Sequence, residues 1–586
     1  MSFTRTIDLI APERLAVIKE DIFFGRTGAS YEAWNGIKIT NRILAYGGYL
    51  QNLGLGPDDK IILLPESGSP EWVMLDLAAQ ALGIVVVMAH ATASSKNIQL
   101  IIQESEAKHF FYEDEDLIEP LGDIFQGVQI QQLYDISLET VLTLADYKVA
   151  SSKVKAEDVA CIIYTSGTTG DPKGVMLTHT NIMSNVLAVT LLLPIRRDDR
   201  VLSLLPYSHI FERTSVYCLI ALQSKIYFIA SPDNLAEALV KIKPHYFTAV
   251  PRILERIYDH VIGEFRSRKW LGKTLFKWAV KFAGEFQPHR SFNPIKFLQL
   301  RFIRHILLGG FRKKMGGKLK GIITGAAHLR PEIARAFYAG GIKVREGYGM
   351  TETSPVISFN RFEPGLSRID TVGLLLPKVR LELRSKDENG NGEIWVSGPN
   401  VMKGYYKREE ETKAVLIDGW LNTGDIGKLV DGNYLQITDR KKDIFKTSSG
   451  KYIAPQELEN HFAQSEYIES ILIVGFQKAY VTALVYPNYD ALQEWATTQK
   501  IHWTSPKYMA LNIKVKERVQ EEIDQLNEEL ANHKKIKGFH LLSESWSQEQ
   551  GQLSATLKPI RKKILMDYQK EYNQLYVKEK PMGFFN

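Results

Sequence analysis

The chain has 586 residues, 45% of them hydrophobic, 24% charged and 10% aromatic. This is an ordinary globular composition, and it excludes a disordered chain, a collagen-like fibre and, with only Cys161 and Cys218 present, a disulfide scaffold. The formal charge of +6 is uneven: residues 266–320 hold 15 Lys/Arg against the single acid Glu285, a local balance of +14, while the rest holds 58 basic and 66 acidic groups, a balance of −8.

In the opening residues, Asp8, Glu13, Glu20 and Asp21 interrupt any apolar core of the kind a secretory signal needs. The longest apolar run, near residues 81–91, is broken by Gly83 and His90 and falls short of the ~20 residues that span a bilayer. The expectation is a cytoplasmic protein, or one held peripherally on a membrane surface. IILLP (61–65), GIVVVM (83–88), HFFYED (109–114), CIIYTSG (161–167) and RVLSLLP (200–206) read as buried strands. Segments 69–82 and 97–105 have the spacing of covering helices. Continuous apolar strands alternating with helices predict a parallel sheet covered on both faces. GIITGA (321–326) and KVREGYG (343–349) continue the rhythm.

From about Gly373, short strands and Gly-rich turns predict a β-rich subdomain. The charged DRKKD (439–443) reads as a hinge, followed by a small α+β domain with a polar helix near residues 513–533 and a basic tail. The fold class is therefore α/β: a large multi-layer domain with parallel or mixed sheets over 1–438, a hinge at 439–443, and a mobile α+β domain over 444–586.

The most informative segment is YTSGTTGDPKGVMLTH, residues 164–179. Thr165, Ser166, Gly167, Thr168, Thr169 and Gly170 follow a strand, and Lys173 comes three residues later. Small residues bring backbone N–H groups close to phosphate oxygens, hydroxyls add donors and the lysine adds charge. It is not a Walker A loop, because Lys173 is followed by Gly174 rather than Ser or Thr. A Ser/Thr/Gly-rich turn capping a helix would share the composition.

The segment resembles the phosphate loop of the adenylate-forming superfamily, which includes acyl-CoA synthetases, peptide-synthetase adenylation domains and luciferases. Four more blocks resemble that family in the same order: EGYGMTETSP (346–355), DGWLNTGDIG (418–427), DRKKDIFKTSSGKYIAPQELE (439–459) and LSATLKPIRKKI (553–564). The similarity runs from about residue 30 to 575. It implies that Thr165, Ser166, Thr168, Thr169 and Lys173 hold the β- and γ-phosphates of ATP, that Glu352 binds Mg²⁺, and that Thr351 touches the α-phosphate. Gly325, Ala326, Glu346, Gly347, Tyr348 and Gly349 would form the adenine slot. Asp425 would accept the ribose hydroxyls, with Arg440 assisting.

The resemblance makes Lys558 the lysine that neutralises the charge developing during adenylation, and Lys442 the pivot about which the small domain turns. That turn would bring Ser449 and Gly450 to coenzyme A. Ala555 stands where the family's usual LTPTLK has proline. Taken singly, each residue has a plainer reading: Glu352 as a helix-cap acid, Asp425 as a turn residue, Lys558 as a solvated lysine beside Lys562 and Lys563.

LPYSHIFERTSVYCLIAL (205–222) resembles the form of its motif found in long-chain fatty acyl-CoA synthetases, which puts His209 and Phe211 near an acyl pocket; His209 equally fits a packing role. The insert at 260–320 carries WLGKTLFKWAVKFAGEF (270–286), with Lys273, Lys277 and Lys281 in register. It reads either as a basic amphipathic helix for an anionic membrane or as a core-packed helical pair with solvated lysines. No recognition motif accompanies the charge, so nucleic acid is not an expected partner. The implied activity is ATP-dependent ligation of a long-chain fatty acid to coenzyme A. A related acyl or aryl acid, a carrier-protein acceptor and a non-catalytic binding protein are the alternatives. Acyl length and oligomeric state are not legible.

Overall fold

The computed structural model describes residues 3–15, 17–27, 30–165, 172–266, 282, 312–441, 443–448, 450–547, 550–554 and 559–576. The chain forms two compact units. The first comprises Met1–Glu382, Trp395–Thr423 and Leu429–Gln436; the second comprises Leu383–Ile394, Gly424–Lys428 and Ile437–Asn586.

The first unit is built on two large sheets. A seven-stranded sheet runs in the order Gly404–Tyr405, Lys173–Thr178, Val159–Thr165, Val85–Met88, Lys60–Leu64, His109–Tyr112 and Gln129–Gln132. Its last five strands are parallel, and the first two are added antiparallel. Apolar runs are continuous here because both faces are covered. In Lys60–Leu64, Ile61 and Leu63 join one core cluster while Ile62 and Leu64 join another. The covering helices form as expected: Pro70–Ala81 starts on the Ser69 cap and Ser95–Ser105 on the Ser94 cap.

A nine-stranded sheet has a parallel centre of Asp21–Thr27, Lys225–Phe228, Arg200–Ser203, Tyr246–Ala249, Gly321–Thr324 and Lys343–Gly349, with antiparallel edges. Strands Arg380–Arg384, Gly392–Ser397, Leu416–Ile417, Trp420–Val430 and Tyr434–Arg440 make up the β-rich region.

A buried polar knot fixes the helix Ile210–Leu222 within the first unit. Arg213, fully buried, donates from Nε to Asp76 Oδ2 at 2.9 Å, and Tyr207 and Tyr217 donate to the same oxygen at 2.8 and 2.7 Å. Gln80 donates to Asp76 Oδ1 at 2.8 Å and accepts from Thr6. Removing one partner leaves a buried charge uncompensated, so Asp76→Ala should destabilise the first unit by about 3–5 kcal/mol. Urea unfolding measures this, and a loss no larger than that of an exposed Asp→Ala variant would contradict it.

The second unit has a three-stranded sheet in which Ile468–Val474 runs antiparallel and Ile536–Leu541 parallel to Val481–Pro487. Period-two alternation sends Ile471 and Ile473 into one cluster, Leu472 and Val474 into another. The helix expected over 513–533 ends at Asn527. There the Asn527 side chain, buried, donates to the Ile536 carbonyl at 3.0 Å and accepts from its N–H at 2.9 Å, which turns the chain into the next strand.

Candidate active site

Strand Val159–Thr165 is paired antiparallel with Lys173–Thr178, and Thr165 stands opposite Lys173. Ser166, Gly167, Thr168, Thr169 and Gly170 lie outside the described residues. Gly174 is required by packing: a Cβ there would meet Ile162 Cγ2 at 2.8 Å and the Tyr164 ring at 3.1 Å.

Beside this hairpin, Tyr405 pairs with Val175. Its ring lies 5.3 Å from Lys173 Nζ, and its hydroxyl donates to Glu352 Oε1 at 2.9 Å. Lys173, Tyr405 and Glu352, far apart in sequence, thus form one contiguous chain. Burial and the Glu352 charge push the Tyr405 hydroxyl far above its ordinary range, so it remains a proton donor. Tyr405 was not among the expected site residues. Its only sequence sign is the MKGYY string (402–406) within the β-rich region.

Glu352 sits in a single 3₁₀ turn, Thr351–Thr353, that is held from several sides. Asn185 donates to the carbonyls of Thr353 and Val356 at 3.1 Å each and accepts from Val356 N–H at 2.8 Å. Asn400 donates to the Thr353 carbonyl at 3.2 Å, and Met402 N–H donates to the Glu352 carbonyl at 2.9 Å. The backbone under the carboxylate is thereby preorganised.

The glycines expected at the adenine slot converge. Thr324 pairs with Glu346 across parallel strands, which brings Gly325 against Gly347: a Cβ on Gly325 would lie 3.1 Å from the Gly347 carbonyl and 4.0 Å from the Phe211 ring. At Gly349 a Cβ would be only 1.7 Å from the Pro355 carbonyl, so no other residue fits. Ala326 takes a left-handed φ of 71° and Tyr348 is half-buried. The Glu346 carboxyl is buried and, by burial and the nearby Asp370, is pushed up to about 8.

His209 occupies the N-cap position of the helix Ile210–Leu222 without a capping side-chain bond, and Phe211 lies in the first turn. Its ring packs on His90 at 4.2 Å between centroids. His90, another residue the motifs do not reveal, shares a 2.9 Å hydrogen bond with Ser208, and burial holds it neutral, down at about 4. The backbone of Tyr164, directly before the phosphate loop, also bonds to His90. His90 therefore ties the loop bearing His209 to the start of the phosphate loop.

In the second unit, Arg440 Nε donates to Asp425 Oδ1 at 3.0 Å, with Asp425 buried. Gly450 takes φ 78° at its turn. Lys442, Ser449 and Lys558 lie outside the described residues, as do 267–281 and 283–311 of the basic insert. Three residues beyond Lys558, however, Arg561 is anchored: Nη1 reaches Glu459 Oε1 at 2.5 Å and Nη2 the Ile473 carbonyl at 2.9 Å. Leu553 forms an antiparallel bridge with Pro559.

Several carboxyls are pushed up by burial: Glu212 and Glu459 to about 7 and Glu346 to about 8. A raised acid binds more protons folded than unfolded, so its stability contribution is lost as pH rises through the folded value. Buried His90 and His179, each near 4, act oppositely but only below about 6.5. The melting temperature should therefore fall between about pH 6.5 and 8, and a rise over that window would refute the assignment.

The residues fit the groups that the sequence resemblance implies. Glu352 offers a hard oxygen suited to Mg²⁺ shared with phosphates, and Gly325 and Gly347 let the backbone of two strand ends approach closely. Lys173 supplies the positive charge.

Close-packed glycines, a buried acid and a lysine at a strand start sit on an α/β frame of two units, and the comparisons identify that frame as an adenylate-forming fold. The family described as AMP-binding enzyme matches residues 11–406, and the AMP-binding enzyme C-terminal domain matches 442–580. The chain belongs to the AMP-binding enzymes. Among curated proteins it is 31% identical to long chain acyl-CoA synthetase 3 of Arabidopsis thaliana, over 97% of this chain and 90% of that one. It is 30% identical to long-chain-fatty-acid–CoA ligase 6 of Mus musculus, over 87% and 77%. Among solved structures, o-succinylbenzoate CoA synthetase of Bacillus subtilis with its acyl-adenylate intermediate shares the fold. Its TM-score is 0.69 at 18% identity, over 95% of this chain and 97% of that one.

Proposed function

We propose that the protein activates a long-chain fatty acid with ATP and transfers the acyl group to coenzyme A. The observation that carries this reading is the contiguous Lys173–Tyr405–Glu352 chain in an AMP-binding enzyme whose curated relatives are named for long-chain acyl groups.

In the first half-reaction a carboxylate oxygen attacks the α-phosphorus, and the bond to pyrophosphate breaks. Two anions must be brought together, so positioning and charge neutralisation dominate. Lys173 and the hydroxyls of Thr165, Ser166, Thr168 and Thr169 hold the leaving phosphates, while Gly167 and Gly170 let the backbone approach them. Thr351 contacts the α-phosphate. Gly325, Ala326, Glu346, Gly347, Tyr348 and Gly349 enclose adenine. Asp425, with Arg440 on one oxygen, takes the ribose. Glu352, oriented by Tyr405, would hold Mg²⁺, which neutralises phosphate charge when bound.

Lys558 completes this arrangement from the small domain. In the second half-reaction the thiol sulfur attacks the acyl carbon, and AMP departs with the bonding pair of the acyl–oxygen bond. A turn about Lys442, with 439–443 as hinge between 1–438 and 444–586, withdraws Lys558 and brings in Ser449 and Gly450. His209 and Phe211 line the acyl end. Among the described residues no helix is long and apolar enough to cross a membrane, and we place the enzyme in the cytoplasm or peripherally on a membrane.

A panel of hexanoate, palmitate, arachidate and benzoate with ATP, Mg²⁺ and coenzyme A tests the reading. Palmitate should give AMP and thioester with the highest kcat/KM. Preference for benzoate would move the enzyme to the aryl-acid ligases, and no AMP with any acid would end the ligase assignment.

A further inference from the structure

The strand Lys343–Gly349 buries a cation that the reaction does not use. Arg345 is only 7% exposed, and burial pushes its guanidinium down to about 10. Its one hydrogen bond runs from Nη1 to the Val344 carbonyl at 3.0 Å. Nε is buried without a hydrogen-bond partner, and among the described residues no carboxylate forms an ion pair with this side chain. The edge left unused, Nε with Nη2, carries the two parallel donors that match a carboxylate or phosphate. Folding stability does not account for such a group, because a buried cation is often replaced by an apolar side chain of similar volume without loss.

Arg345 lines a cleft of about 320 Å³, open solvent included, together with Tyr338, Glu346, Asn360, Ser367 and Arg368. Of the residues expected at the adenine slot only Glu346 belongs to it, so the cleft is a separate place that shares one strand with the slot. Asn360 is committed to the Thr371 carbonyl and the Arg368 N–H, and Arg368 to Asp431 at 2.9 Å. Ser367 and Tyr338 bring hydroxyls. Both signs of charge count here. Lys343, Arg345, Arg361 and Arg368 meet Glu363, Asp370 and Asp431, while Glu346, pushed up to about 8, is neutral at pH 7 and donates. Lys343 and Arg361 donate to the carbonyls of Phe362 and Leu375 at 3.1 and 2.7 Å, and Gln436 donates to Asp370 at 2.8 Å. Glu363 is exposed and makes no ion pair with Arg345. Four cations against three acids leave one positive charge, and Arg345 is the group without compensation.

We propose that this cleft binds a small oxyanion, a carboxylate or a phosphate group, on the Nε/Nη2 edge of Arg345, with the Ser367 and Tyr338 hydroxyls completing its hydrogen bonds. A water would satisfy Nε but leave the cation uncompensated, and a halide would not use two parallel donors. The inference goes beyond the proposed reaction and rests on no step of it, because binding is read without turnover.

The test follows the melting temperature of the full chain against sodium phosphate and sodium acetate, with sodium chloride at equal ionic strength as the reference. Wild type should show a saturable rise with phosphate, acetate or both that chloride does not give. Arg345→Met should weaken the apparent affinity about 10–150-fold. Arg345→Lys, which keeps the charge and loses the fork, should weaken it about tenfold, and it decides the matter alone if the Met variant does not fold. Lys173→Met should bind as wild type does. The proposal is overturned if the oxyanions act no more strongly than chloride, or if the Arg345 variants respond like wild type. It is also overturned if the response is lost in Lys173→Met, which would put the anion on the phosphate loop. A response seen only in Glu363→Gln would overturn it as well, because the protein's own carboxylate would then be the occupant.

Discussion

Lys558→Ala should lower the rate of acyl-adenylate formation by about 10²–10³-fold, the usual effect of deleting one group aimed at developing charge. Thioester formation from added acyl-adenylate and coenzyme A should be nearly unchanged. The split follows from the proposed two-state hinge, in which the lysine serves one conformation and is withdrawn in the other. Stopped assays of pyrophosphate release and of thioester formation separate the halves, and equal loss in both would defeat the assignment. The Arg561 anchor adds a finer expectation. Arg561 is tied to Glu459 and to the Ile473 carbonyl, so Arg561→Ala loosens the segment that carries Lys558 without removing the lysine. It should reduce adenylation less than Lys558→Ala does, again sparing the second half-reaction.

Arg561 also marks where sequence reasoning stops. In the string PIRKKI it looks like one more solvated base. Its partners Glu459 and Ile473 come from a helix and a strand about a hundred positions away. Phosphate-loop chemistry is local, with donors, glycines and lysine in one short run, and so a phosphate-loop role for Thr165 and Lys173 could be proposed from the string itself. The parallel strands were legible for the same kind of reason: burial on both faces leaves an apolar run at Ile61–Leu64 that no solvent-facing strand would carry. Tyr405 and His90 were not legible, because a tyrosine over a lysine or a histidine over a histidine is set by strand order. Gly404–Tyr405 joins the sheet beside Lys173–Thr178 from a distant part of the chain, and no periodicity announces that pairing. The helix Ile513–Asn527 stops short of the polar pattern that follows it because Asn527 ties itself to Ile536, another contact made across a turn.

Glu352→Gln is the second substitution with a large expected effect. The amide keeps the shape and can still accept from the Tyr405 hydroxyl, but it loses the charge that a hard divalent cation requires. Adenylation should fall by about 10²–10³-fold, with part of the loss recovered at high Mg²⁺. Tyr405→Phe provides the contrast. It leaves the carboxylate in place and removes its 2.9 Å donor, while the phenyl face still meets Lys173. Losing one hydrogen bond to a charged group corresponds to about 1.5–3 kcal/mol, or roughly 10–150-fold, spread over the Mg²⁺ requirement and kcat. If Tyr405 orients Glu352, the Glu352→Gln/Tyr405→Phe double variant should be scarcely worse than Glu352→Gln alone, because the second change removes a group whose partner has already lost its role. Full additivity in that cycle would mean that Tyr405 acts on Lys173 rather than on the carboxylate, and the ordering of the Lys173–Tyr405–Glu352 chain would have to be read from its other end.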